Sequence, residues 1–146
     1  MKCVVLFCIV VGMSAWSASV RAEPVPLRPG EYQIAAVTEA SNGEAGKPDI
    51  HTRCVKDEHL ANPDAVFNNY VTNGFKLKPS NKVMNVSVHD GQVSYDIEGP
   101  HAFTRVEGTV SGTTFSVVRK AKPISGAGLL VTMKIDGKRT GECASK

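Results

Sequence analysis

Apolar and polar side chains alternate along the C-terminal half of the chain, most clearly between residues 84 and 97. Every second residue is apolar within residues 84–88 and again within residues 93–97. A period of two residues is typical of a β-strand with one buried face. Asp90-Gly91, between these segments, favours a two-residue hairpin turn. We therefore predict a β-hairpin whose apolar side chains face the core: Met84, Val86, Val88, Val93, Tyr95 and Ile97.

Further strands are predicted on both sides of this hairpin, over residues 31–38, 50–55, 103–110 and 113–118. Phe103 and Phe115 are expected to join the core. A second Asp-Gly pair, Asp136-Gly137, predicts another hairpin turn between residues 129–135 and 138–143. The whole pattern predicts a mainly β fold of seven or eight strands, an antiparallel meander rolled into a barrel or half-barrel with one short helix.

The short helix is predicted within residues 57–70. Asn62 followed by Pro63 is typical of a helix start, because asparagine caps the first turn and proline fits the first helical position. Asp64 suits the positive end of the helix dipole. Three apolar residues then fall close together on the helix surface: Val66, Phe67 and Tyr70.

The first 22 residues follow a different pattern. Lys2 precedes an almost unbroken apolar run from Cys3 to Met13, and smaller residues lead to Ala22. This order predicts a cleavable signal peptide over residues 1–22, because the apolar run is shorter than the ~20 residues that span a bilayer. The mature protein is then a single β-rich domain, residues 23–146, which is exported and has no membrane span.

Charge gives no indication of a nucleic-acid or membrane partner. The chain carries a net charge of +3, and loss of Lys2 and Arg21 with the signal peptide leaves the mature domain at +1. The one dense cluster of cations is Arg119-Lys120-Ala121-Lys122. We interpret it as the solvated end of a strand, with contact to a polyanion as the alternative.

Two cysteines, Cys54 and Cys143, remain after signal cleavage. In an oxidising compartment such a pair favours a disulfide, which here would close a long loop and contribute about 2–4 kcal/mol. The alternative is a reactive Cys54, since His51 and Arg53 could lower the pKa of a free thiol. No nucleophile motif surrounds Cys54, so the structural disulfide is the prediction.

The titratable residues form no motif that is typical of an enzyme or a metal site. The four histidines lack metal-ligand spacing, and His89 with His101 is the pair we would choose if a metal were bound. Asp96 and Glu98 share a predicted strand face and could act as paired carboxylates, but an exposed polar face explains them more simply. We predict no catalytic residue, no metal ligand and no cofactor.

Several segments resemble a known protein family. Pro29-Gly30-Glu31-Tyr32 is similar to its P-G-x-W/Y opening, and Cys54 to Leu60, running into Asn62-Pro63, resembles its segment of a cysteine followed by a short helix. The ending from Gly137 to Cys143 resembles its closing strand and terminal cysteine. The family is an uncharacterised group of secreted proteobacterial proteins, a domain of unknown function. The resemblance covers residues 29–143 and implies a Gram-negative periplasmic protein without a known activity.

The resemblance also bears on the disulfide. Many members of the family carry two further cysteines, near residues 75–78 and 98–99, and this chain has neither. That departure implies that the two middle cysteines pair with each other in those members. The remaining pair is then Cys54 with Cys143.

Three functions fit these observations. The first is a non-catalytic binding module that holds a small apolar ligand within a partly unfilled β-fold. The second is a structural or partner-binding protein of the cell envelope, with a filled core and functional loops at residues 41–47 or 122–128. The third is a hydrolase or metal enzyme, which would require histidine and carboxylate groups to converge in a pocket.

Overall fold

Seven strands form one antiparallel sheet. The computed structural model describes residues 25–61, 67, 80–125 and 128–144. Its strands are β1 (Gly30–Ala40), β2 (Asp49–Val55), β3 (Lys82–His89), β4 (Gln92–Glu98), β5 (Ala102–Ser111), β6 (Thr114–Pro123) and β7 (Val131–Gly141). One short helix, α1 (Asp57–Leu60), follows β2. The predicted mainly β class is therefore confirmed.

The strand order is β2-β1-β7-β6-β5-β4-β3. Strands β3 to β7 follow one another as a meander, whereas β1 lies between β2 and the last strand, β7. Because β2 and β3 occupy the two edges, the sheet is not closed. Of the two predicted architectures, a half-barrel or open sheet fits the structure and a closed barrel does not.

One face of the sheet, which we call the core face, carries the buried apolar side chains; the other is the solvent face. At one end of the core face the rings of Tyr32 and Phe115 lie 6.0 Å apart, and Phe67 packs edge-on against Phe115 at 5.5 Å. Val25, Leu27 and Leu60 are buried in the same cluster. This packed end is a filled hydrophobic core.

The turn predicted at Asp90-Gly91 is confirmed. Asp90 has φ 47° and Gly91 has φ 73°. Positive φ at both central residues is the requirement of a type I′ turn, which matches the twist of the two strands it connects. The connection between β5 and β6 consists of residues 112–113, close to the predicted Ser111-Gly112 turn.

The hairpin turn predicted at Asp136-Gly137 is wrong. Both residues lie inside β7, which continues without interruption from Val131 to Gly141. Gly137 is opposite Phe115 on the core face, and a Cβ at Gly137 would lie 2.1 Å from the Phe115 ring. Glycine therefore stands here because the aromatic ring fills the space of a side chain, and the chain does not turn.

Two of the predicted core residues lie on the solvent face. A β-bulge between Met84 and Ser87 places Asn85 at φ 54° and shifts the alternation of β3 by one residue. Val83 and Val86 consequently pack against the core, and Met84 faces outward. Phe103 is 41% exposed, because the inward positions of β5 fall on its even-numbered residues.

One short helix lies within the predicted region of residues 57–70, but it ends before the predicted start at Asn62-Pro63. Helix α1 spans Asp57–Leu60, and its first turn is stabilised by the His59 imidazole, whose Nδ1 accepts a hydrogen bond from the Lys56 backbone N–H at 3.0 Å. The predicted start at Asn62-Pro63 lies outside the described residues, as does the predicted signal peptide at residues 1–22.

Candidate functional site

The side chains of the core face become smaller and less buried from one end of the strands to the other. Away from the packed end, at the end of β1 and the start of β7, the inward positions carry small side chains. Ala40 pairs with Val131, Val131 with Ala121, and Ala121 with Thr104. Thr104 is buried, but most of the neighbouring inward residues stay only half-buried: Ala36, Thr38, Ala40, Ala102, Ala121 and Met133. We call this region the small-residue end.

Exposed apolar side chains border the small-residue end. Ile124 is 58% exposed, and the residues that return from the connection into β7 are exposed as well: Leu129, Leu130 and Val131. We call these four residues the rim. The Ser41 backbone N–H donates to the Leu130 carbonyl at 2.9 Å, which holds the rim beside the exposed loop of residues 41–47. The loop of residues 41–47 therefore begins at this end, and so does the described part of residues 122–128, which follows Ala121.

A polar group lies between the packed end and the small-residue end. Arg119, on the core face of β6, is 7% exposed, and Thr104 is 4% exposed. Tyr95 is fully buried. It pairs with Val106 on β5, and Val106 pairs on its other side with Arg119. Burial lowers the pKa of the Arg119 guanidinium, and the nearby Tyr95 opposes that shift. We call these three residues the inner polar group.

Sequence analysis missed this group because it treated Arg119 as part of an exposed cationic cluster. The structure separates that cluster: Lys120 and Lys122 are exposed on the solvent face, while Arg119 points to the core face. The signal was present in the alternation of β6, where Arg119 follows Phe115 and Val117 at steps of two residues. Three cations in four residues concealed that alternation.

The two carboxylates considered for catalysis differ in burial, because Asp96 is only 6% exposed and the expected exposed polar face holds for Glu98 alone. Asp96 accepts hydrogen bonds from the Asn85 amide at 2.7 Å and from the Arg105 guanidinium at 3.0 Å. The hydrogen bond from Asn85 and the interaction with Arg105 lower the pKa of Asp96 against the effect of desolvation. Glu98 is exposed. A carboxylate held ionised in this way is a poor general acid at neutral pH.

The histidines do not come together. His89 precedes β4 and His101 follows it, so that roughly 20 Å of strand separates them. His51 lies 3.4 Å from Asp49, and His59 caps helix α1. Within the described ranges no three metal-ligating side chains form a group that could hold an ion.

A disulfide joins Cys54 to Cys143, with Cα atoms 5.3 Å apart, as sequence analysis predicts. Cys54 pairs with Glu31 of β1, and Glu31 pairs on its other side with Gly141 of β7. The bridge therefore links β2 to the residues just beyond β7, across the end of β1. Because Cys54 is bonded, the alternative of a reactive thiol does not apply to this structure.

The solvent face also has a shallow depression of about 260 Å³. This volume is below the roughly 300–1,000 Å³ of typical small-molecule sites. The lining mixes charged, polar and apolar side chains: Gln33, Ala35, Ile50, Asp136 and Lys138. The core face, with its graded burial and its inner polar group, is the stronger candidate site.

Comparison with protein-family models, with curated proteins and with solved structures finds no match for this chain. Among the helices that the structure describes, none has the length and apolar character needed to cross a bilayer.

Proposed function

We propose that the protein is an exported, periplasmic, non-catalytic binding module that takes a small apolar ligand at the small-residue end of its core face. The single observation that carries this proposal is the difference between the two ends of that face. Aromatic rings pack at one end, while most inward positions of the other end carry small, half-buried side chains. A β-fold that uses its whole core face only for stability would bury large apolar side chains at both ends.

The rim supports the same function. Ile124 and Leu129 are 58% and 47% exposed and lie where an apolar ligand would reach the small-residue end. Exposed apolar clusters on soluble proteins mark sites of interaction more often than isolated exposed residues do. The Cys54–Cys143 disulfide supports export, because disulfides persist in oxidising compartments such as the periplasm.

The test is to express the full chain in a bacterial periplasm and to measure binding of a polarity-sensitive apolar fluorophore. Ala121→Trp would fill the small-residue end and should abolish binding. Ser116→Trp places the same side chain on the solvent face of the same strand and should leave binding unchanged. Circular dichroism should show that both variants are folded. Equal binding by both variants and the wild type would refute a ligand site on the core face.

Native mass spectrometry of the exported protein examines location and ligand together. A chain that begins at Glu23, with the disulfide formed and a small molecule bound, is the expected result. A chain that retains residues 1–22 would contradict the proposed signal peptide.

A partner-binding role is the second candidate, and the exposed rim is the observation that favours it. In that case Leu129→Asp would abolish capture of an envelope protein, and Ala121→Trp would have no effect on that capture. The opposite pattern, with fluorophore binding lost only in Ala121→Trp, favours the small-ligand function.

A further inference from the structure

Arg119 is a charged side chain in a position that ordinarily holds an apolar one. Its neighbours across the sheet are Val106 on β5 and Met133 on β7, and the preceding inward residue on β6 is Val117. Only 7% of Arg119 is exposed. Removing a guanidinium from water costs several kcal/mol unless other groups compensate. A fold that needed only packing here would be served better by an apolar residue of similar volume.

The strand register places two hydroxyl-bearing residues near Arg119 on the core face. Tyr95 is two strands away, across Val106, which places the two backbones about 10 Å apart. This separation allows the Tyr95 and Arg119 side chains to approach each other above Val106, and the influence of Tyr95 on the pKa of Arg119 is consistent with such an approach. Thr104 pairs with Ala121, one step nearer the rim. The inner polar group thus combines one positive charge with two neutral hydroxyls.

The position of this group suits the head of an amphiphilic ligand. From Arg119 the core face of β6 continues through Ala121, and the rim begins at Ile124. Five residues of extended chain span roughly 16 Å. Over that distance the face passes from a buried cation through small side chains to exposed apolar ones. A ligand with its charged end at Arg119 and its apolar chain toward Ile124 would match each part of this surface.

We propose that the inner polar group binds the carboxylate of a single-chain amphiphile, such as a fatty acid, whose hydrocarbon chain runs toward the rim. This inference rests on the proposed function, because it names the class of ligand for the same site. The planar guanidinium matches a carboxylate through two parallel N–H donors. The guanidinium carries five N–H donors, and Arg119 also makes contacts within the fold. A carboxylate brings one negative charge, equal to the one positive charge of the group, whereas a phosphate monoester brings more.

The experiment compares dodecanoate with dodecanol, which share one hydrocarbon chain and differ in the head group. Binding is measured at neutral pH, below micelle-forming concentrations, by displacement of the apolar fluorophore. The wild type should bind dodecanoate roughly 10–100-fold more tightly than dodecanol, the range expected for hydrogen bonds to a charged group. Arg119→Met keeps much of the side-chain volume and should abolish this preference without weakening dodecanol binding. Lys120→Met removes one cation from the solvent face of the same strand and should leave the preference intact.

Each result distinguishes this inference from the function on which it rests. If neither compound displaces the fluorophore, the proposed function fails. If both bind equally to the wild type, or if Arg119→Met weakens both equally, apolar binding stands and the head-group assignment is refuted. Tighter binding of dodecyl phosphate than of dodecanoate would overturn the choice of carboxylate. If Arg119→Met does not fold, Tyr95→Phe serves instead: a several-fold loss confined to dodecanoate supports the inference, and no loss contradicts it.

Discussion

Replacing Gly137 by alanine tests whether the Phe115 ring is what requires glycine in the middle of β7. The added Cβ would lie 2.1 Å from both Cε1 and Cζ of Phe115. The ring has little freedom to move, because it is 3% exposed and packs against Tyr32 and Phe67. An extra carbon forced into a well-packed core costs roughly 1–3 kcal/mol. For a domain of this size each kcal/mol lowers Tm by about 3–6 °C, so we expect a fall of at least about 3 °C.

The assay is thermal and urea unfolding followed by circular dichroism, with Gly141→Ala as the matched control in the same strand. A Cβ on Gly141 meets no atom within 4 Å in the part of the chain that is described. Its effect should stay within about 0.5 kcal/mol. Combining Gly137→Ala with Phe115→Leu should destabilise less than the sum of the two single changes, because the smaller side chain makes room for the methyl group. Equal, small effects of Gly137→Ala and Gly141→Ala would refute the reasoning.

Three further predictions concern the disulfide, the bulge and the buried carboxylate. Replacing both Cys54 and Cys143 by serine should lower the free energy of unfolding by about 2–4 kcal/mol. A reducing agent should shift the urea midpoint of the wild type only, and a shift in both proteins would contradict the stabilising role of the disulfide. Asn85→Ala should be less stable than Asn85→Gly by about 1–2 kcal/mol in urea unfolding, because φ 54° suits glycine better than alanine. Both variants lose the side-chain amide, so the comparison isolates the backbone, and equal stability would argue against strain at the bulge. The pKa of Asp96 is lowered in the folded protein, so its stabilising effect is complete above the unfolded pKa of about 3.9 and is lost as the pH falls below it. Asp96→Asn should therefore lose less stability than the wild type when acidified below about pH 4, and identical acid-unfolding profiles would show that the carboxylate contributes nothing.

Local pattern was sufficient to predict the strands and one of the two Asp-Gly turns. Alternation and turn chemistry act over a few residues, and both are present at Asp90-Gly91. The same dipeptide at Asp136-Gly137 forms no turn. Glycine is required there because the Phe115 ring, from another strand, occupies the space of a side chain. Nothing within five residues of Gly137 carries that information. The bulge at Asn85 also depends on another strand, because the Asn85 amide donates a hydrogen bond to Asp96 on β4.

The disulfide could be predicted and the candidate site could not, for a physical reason. The disulfide was predicted from the number of cysteines and from the predicted export of the chain, neither of which requires knowledge of the fold. The inner polar group depends on which side of β6 Arg119 occupies and on what lies across two strands from it. Those are properties of the sheet register, and they become visible only once the strand order is known.

The placement of β1 between β2 and β7 also determines the order in which this fold can be completed. During synthesis β1 and β2 emerge early and can pair as a hairpin, yet the other edge of β1 must wait for the last strand of the domain. Such long-range pairing raises contact order and slows folding, and an open strand edge is a template for aggregation while it waits. Cys143 lies just beyond β7, so oxidation with Cys54 can follow only after the final strand has emerged. The bond can therefore form only after every strand of the sheet has been synthesised, and until β7 arrives the free edge of β1 is the part of the sheet most open to wrong pairing.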